Sequence, residues 1–141
     1  MIKRVLTSKR GEMYIEGVVT VMVVVALLVF SLSVLQIATL SNTADTIADQ
    51  LIETATFYGS FGTEYEAVKA DLEETYSGMS FEVSENAPGG YFNSTFKRVQ
   101  LGDTMTVTVK YNFTFGGFGS FLTIPLQSVR TGASENYWKI T

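Results

Sequence analysis

No cysteine and no histidine occur among the 141 residues. Their absence excludes disulfide frameworks, thiol nucleophiles, imidazole bases and the usual zinc and copper ligand sets. It also excludes a lipid anchor on an N-terminal cysteine, although a chain outside the cytoplasm need not be disulfide-bonded. Basic charge is scarce beyond the first residues. Lys3, Arg4, Lys9 and Arg10 account for four of the 10 Lys and Arg, so everything after Arg10 sets six basic residues against 14 acidic ones. An acidic surface of that kind argues against nucleic-acid binding, which needs cations to displace counterions. At this length the chain has room for one domain and an anchor. No internal repeat or low-complexity tract is evident.

Charge is missing altogether from Gly17 to Ala44, and Val18–Leu35 is almost wholly Val, Leu, Met, Ala and Phe. The stretch exceeds the ~20 apolar residues needed to cross a bilayer as a helix. A cleaved secretory signal has an apolar region of only about 7–15 residues ending in a small-x-small site, and Leu35-Gln36-Ile37-Ala38 is a poor match to one. Basic residues before the run, with Asp45, Asp49 and Glu53 after it, put the N-terminus in the cytoplasm by the positive-inside rule. The expected division is a basic leader at 1–11, a transmembrane helix at 12–44 and an extracytoplasmic domain at 45–141.

Lys9-Arg10-Gly11-Glu12-Met13-Tyr14-Ile15-Glu16 stands directly before the apolar run. Gly11 leaves the backbone open to close approach by a protease at the membrane face, and glycine resists extending the helix backwards into the leader. A cut after Gly11 would create an α-amino group of ordinary pKa ~8 on Glu12. Glu16 lies four residues on, ~6 Å further along a helix axis. A carboxylate at that depth is costly, by ~3 kcal/mol at a bilayer centre and less near the interface, so it wants a cation.

This arrangement resembles the processing site of prepilins: a short basic leader ending in Gly, cleavage after that Gly, and Glu at the fifth position of the mature chain. The resemblance implies cleavage by a prepilin peptidase between Gly11 and Glu12. It also implies a subunit-assembly role for Glu16, whose carboxylate would meet the α-amino group of a neighbouring subunit and set axial register. The rest of the chain adds to it. A Gly102-Asp103 turn, then Val107-Thr108-Val109-Lys110-Tyr111, an apolar strand and the closing stretch Ser128–Glu135 are similar to TadE-like minor pilins of the tight-adherence (Flp) system and related Gram-positive proteins. That likeness implies a low-abundance structural subunit of a pilus or secretion apparatus, with the membrane, other pilin subunits and an assembly platform as partners and no enzymatic activity. The alternative is an unprocessed single-span protein whose outer domain binds a ligand or partner.

Beyond the membrane, Ala44, Ile47, Ala48, Leu51, Ile52 and Ala55 recur at helical spacing, with Asp45, Asp49 and Glu53 expected on the opposite face, so the helix should continue to about Tyr58. Gly59, Ser60 and Gly62 break the pattern. A second helix is expected from Thr63 to Tyr76, with Tyr65, Val68, Leu72 and Tyr76 inward, Thr63 as N-cap and Glu66 completing a capping box. Glu64, Glu66, Asp71, Glu73 and Glu74 lack calcium-loop spacing and read as a solvated face.

After Gly78 the period becomes two. Met79, Phe81 and Val83 alternate with polar residues, and so do Met105, Val107, Val109, Tyr111, Phe113 and Phe115. Asn86–Gly90 and Gly116–Ser120 read as loops, Leu101–Thr104 as a hairpin turn, and Leu122–Ala133 as a strand with Pro125 on an edge or at a bulge. A strand at Asn93–Leu101 would complete about four antiparallel strands beneath the helix stripe. The expected fold class is therefore α+β: a long N-terminal transmembrane helix continuing into a small sheet domain. Neither a catalytic set, a metal site nor a cofactor is expected. Asn93 and Asn112 match the glycosylation acceptor pattern, which solvent-facing Asn and Thr produce by chance. Core packing is the expected role of Phe118, Phe121 and Trp138 over an adhesive surface.

Overall fold

The computed structural model describes residues 9–115 and 122–139. Lys3 and Arg4 of the expected leader, the loop at 116–120, and Phe118 and Phe121 lie outside the described residues.

A single helix, α1, runs from Lys9 to Tyr58, about 75 Å at 1.5 Å per residue. Valine is a mediocre helix former in water, but where no water can reach the backbone a helix satisfies every N–H and C=O internally. The hydroxyls in the apolar half are satisfied the same way. Thr20, Ser31, Ser33 and Thr39 each donate to the carbonyl four residues earlier, at 2.8–3.0 Å, so none of these hydroxyls requires an outside partner. The helix ends where expected. Gly59, at φ +62°, takes the left-handed conformation, its N–H bonding the Thr56 carbonyl while that of Ser60 bonds Ala55, the paired bonds of a Schellman cap.

Helix α2 spans Thr63–Thr75. Its N-cap is Gly62, not Thr63, and no side chain caps it. The bond that closes the first turn is from the Glu66 N–H to the Gly62 carbonyl, 2.9 Å, so the expected capping box does not form. Tyr65 and Leu72 are buried, with Val68 and Tyr76 packed at the core's edge.

Strands β1 (Phe81–Asn86), β2 (Thr104–Phe115) and β3 (Leu122–Ala133) form an antiparallel sheet in that order. Three strands are present among the described residues, where about four were expected. The segment Asn93–Leu101 folds as a tight turn because Asn93 competes for the backbone. Its Oδ1 accepts from the Phe96 N–H at 3.2 Å, and the Arg98 N–H returns to the Asn93 carbonyl, a local alternative to a strand ladder. Val99 then bonds Gly59 at the end of α1. Leu101–Thr104 does turn, with Gly102 at φ +82° and the Asp103 N–H on the Gln100 carbonyl. It leads from this loop into β2 and joins no hairpin. Pro125 sits on β3, an edge strand, the kind of strand in which a sheet tolerates proline.

The core lies between α1 and the sheet. Ala44, Ile47, Ala48, Leu51 and Ala55 are fully buried against Met105, Val107, Val109, Tyr111 and Phe113 of β2, whose exposed residues alternate between them. Each buried branched side chain contributes on the order of 1.5–3 kcal/mol. The C-terminal tail closes the far end. Ser134 donates to Val99, and Trp138 Nε1 donates to the carbonyls of Gly59 and Val99. The Trp138 ring also lies 4.2 Å from the Arg98 guanidinium, so this half-buried side chain joins the tail to the loop at 93–101 and lies outside the core cluster.

Candidate functional site

Gly11, Glu12 and Glu16 all lie on α1, near its N-terminal end. The helix passes through Gly11 and begins at Lys9, so this glycine does not stop it. Glu12 is the acidic residue of the first turn, where the helix dipole favours negative charge. One helical turn on, Glu16 shares its face, and the two border a shallow open hollow with Ile15, Val19 and Thr20. The side chain of Glu16 is exposed, and its carbonyl accepts the Thr20 hydroxyl at 2.8 Å. Among the described residues the ion pairs are Lys69–Glu85 and those of Arg130 with Asp45 and Asp49. None of them engages Glu16.

Beyond this entrance the apolar surface is bare. From Val18 to Leu35 nearly every large apolar side chain is exposed, and one stretch of α1 is long and apolar enough to cross a membrane, with a mean hydropathy of 2.9. Only 6 % of that stretch is buried by the rest of the chain. The C-terminal third of the same helix is, by contrast, the wall of the core. The helix passes from one condition to the other, through Ala44 and Asp45, without a break.

Asp45 and Asp49 do not point away from the sheet, as the helical pattern suggested. Both engage β3: Ser128 donates to Asp45, and Arg130 pairs with Asp49 and, at 3.3 Å, with Asp45. The hydrogen bond to Asp49, ahead of the two carboxylate charges, raises the Arg130 pKa. This clasp gave no sequence signal beyond an isolated arginine in a strand. A second polar cluster lies under α2, where Lys69 reaches Glu85 at 3.2 Å. Beside it the fully buried Tyr65 hydroxyl has no hydrogen-bond partner of acceptable geometry among the described residues. Burial first, and the Glu85 charge second, push the Tyr65 pKa up; the same two causes raise that of Tyr91.

The acidic residues Glu64, Glu66, Asp71, Glu73 and Glu74 are all exposed along α2, and no group of three potential ligands capable of holding a metal occurs among the described residues. Asn93 uses its side-chain oxygen in the turn, while Asn112 is exposed on β2 opposite Pro125.

Residues 18–139 match the family described as Domain of unknown function (DUF4320). The match begins two residues after Glu16 and takes in the apolar helix and the whole sheet domain. Neither the curated proteins nor the solved structures include a match to this chain.

Proposed function

The chain belongs to the DUF4320 family, and from that premise we propose that it is a membrane-anchored structural subunit of the minor-pilin or pseudopilin kind, similar to TadE-like proteins of tight-adherence machines. The observation that carries this reading is the division of labour along α1: one half is apolar all round and uncovered, the other is clamped to a sheet. A helix apolar on every side needs lipid or other helices around it. A subunit that waits in the membrane and is then packed into a filament uses each in turn.

In this reading the N-terminus is cytoplasmic, a prepilin peptidase cuts between Gly11 and Glu12, and Glu16 meets the new α-amino group of a neighbour. Glu16 is suited to that role because it is exposed and engaged by none of the described cations. Neighbouring pilin subunits and an assembly platform are the partners, and the subunit works without catalysis or a cofactor. One observation favours the alternative, an uncut single-span protein with a partner-binding outer domain: α1 runs unbroken through Gly11, as a plain anchor would.

The two readings separate on intact mass. Protein from native membranes is compared among wild type, Gly11→Ala and Glu16→Ala. The pilin reading expects a mature chain starting at Glu12 in the wild type, no cut in Gly11→Ala, and a normal cut but failed assembly in Glu16→Ala. A full-length wild-type chain in native cells refutes it.

A further inference from the structure

Three contacts set the level of the sheet along α1. Gly132 of β3 lies against Thr56 and Ile52. Ser128 and Arg130 hold Asp45 and Asp49. Phe113 of β2, the register partner of Ile124, lines one hollow with Leu32, Leu35, Gln36, Thr39 and Leu40. β2 therefore descends along α1 towards its apolar half, and β3 climbs back. A hydrocarbon core takes up ~20 helical residues, which counted from Gly17 end at Gln36. Phe113 thus stands at the level where the apolar helix would leave the bilayer. Phe115 and its register partner Leu122 continue the paired strands beyond Phe113, on the side of the same leaflet.

Charge is distributed as that position requires. From Tyr111 to Val129 the sequence holds no Asp, Glu, Lys or Arg, whereas the rows of the sheet beyond Tyr111 carry Glu82, Glu85, Lys110 and Arg130. β1 stops pairing at Tyr111, so Asn112–Phe115 and Leu122–Pro125 continue as a two-stranded ribbon. Leu122 at its end is 47 % exposed.

We propose that this end of the β2–β3 ribbon is a second membrane contact, resting on the headgroup layer of the leaflet from which α1 emerges, and that its ligand is the lipid surface. The inference rests on the reading of α1 as a membrane span, though not on prepilin processing. The ribbon stays interfacial because no third strand flanks it among the described residues, and an open sheet edge is costly in hydrocarbon but can bond water and headgroups at the surface. Pro125 reduces that cost by having no N–H to leave unpaired. Held at the helix and at the ribbon, the outer domain would stand at a fixed tilt to the membrane.

The cysteine-free chain permits a direct test by single-cysteine labelling with an environment-sensitive fluorophore. Full-length Leu122→Cys, Thr123→Cys, Val24→Cys and Thr104→Cys are placed in phosphatidylcholine vesicles carrying a nitroxide either near the headgroup or near the bilayer centre. Thr123 is an exposed strand residue, so its variant retains the fold even where labelling at Leu122 disturbs it. Labels at 122 and 123 are expected to shift to the blue and lose emission to the shallow nitroxide, the label at 24 to the deep one, and the label at 104 to neither. Quenching at 24 with water-like, unquenched emission at both 122 and 123 overturns the ribbon contact while leaving the anchor standing. Absence of quenching at 24 overturns both.

Discussion

Gly132→Ala inserts a methyl group where β3 passes closest to α1. The new Cβ would lie 2.7 Å from Thr56 Cγ2 and 3.4 Å from Ile52 Cγ1, whereas carbon atoms in favourable contact sit about 3.5–4.0 Å apart. Helix and sheet would have to part by roughly an ångström to restore that spacing. Little can give way. Thr56 is β-branched and stiff at χ1, its hydroxyl donates to the Glu53 carbonyl, and the Arg130 clasp lies two residues away on the same strand face. Overpacking of this kind costs about 1–3 kcal/mol, offset by about 0.4–1 kcal/mol because Ala has less freedom than Gly in the unfolded chain. The expected net loss is about 1–2 kcal/mol. Thr56→Ser removes the obstructing methyl and keeps the hydroxyl, so alone it should cost less than about 1 kcal/mol. Together the two substitutions should couple favourably by about 1 kcal/mol. Urea unfolding of the full chain in detergent micelles, followed by emission of the single tryptophan, Trp138, measures all four corners of the cycle. An unchanged midpoint in Gly132→Ala, or strict additivity in the double variant, would refute the steric argument.

The remaining predictions concern the two polar clusters. Tyr65→Phe removes a buried hydroxyl that meets no hydrogen-bond partner of acceptable geometry among the described residues, so stability at neutral pH should hold or rise. Because burial and Glu85 raise the Tyr65 pKa in the folded state, the unfolded chain ionises first. This residue's contribution is complete below its ordinary pKa of ~10 and is lost as the pH climbs above it. The Phe variant should accordingly show a shallower fall in urea midpoint above that pH, with Tyr91 supplying part of the residual slope; an unaltered slope would count against the assignment. Arg130→Ala should cost no more than about 1 kcal/mol, since the side chains of Arg130, Asp45 and Asp49 are 36 %, 42 % and 60 % exposed. The deficit should shrink in high salt, and a salt-independent loss would mean that the clasp acts by packing.

Much of this protein was legible along the chain, because one-sided burial imposes a period that neighbouring residues report. The end of α1 at Tyr58, the inward set of β2, the bounds of β3 and the buried Tyr65 and Leu72 of α2 all follow from repeats of 3.6 or two, punctuated by glycine. The apolar run from Gly17 to Ala44 likewise declares a helix suited to a membrane, and the Gly11 and Glu16 pattern stands beside it as a purely local signature. Tertiary structure decided the rest, wherever the outcome depended on partners distant in sequence. Asn93–Leu101 has the composition of a strand, yet it turns because Asn93 takes a backbone N–H and Val99 is claimed by Gly59. Asp45 and Asp49 have the spacing of a solvent face, but β3 brings Arg130 to them from more than 80 residues away. The level of the β2–β3 ribbon beside Leu32 and Gln36 is written in neither segment alone. It arises from the docking of a pleated sheet on a helix, where the close approach of Gly132 to Thr56 and the reach of Arg130 select one registration among several that periodicity allows.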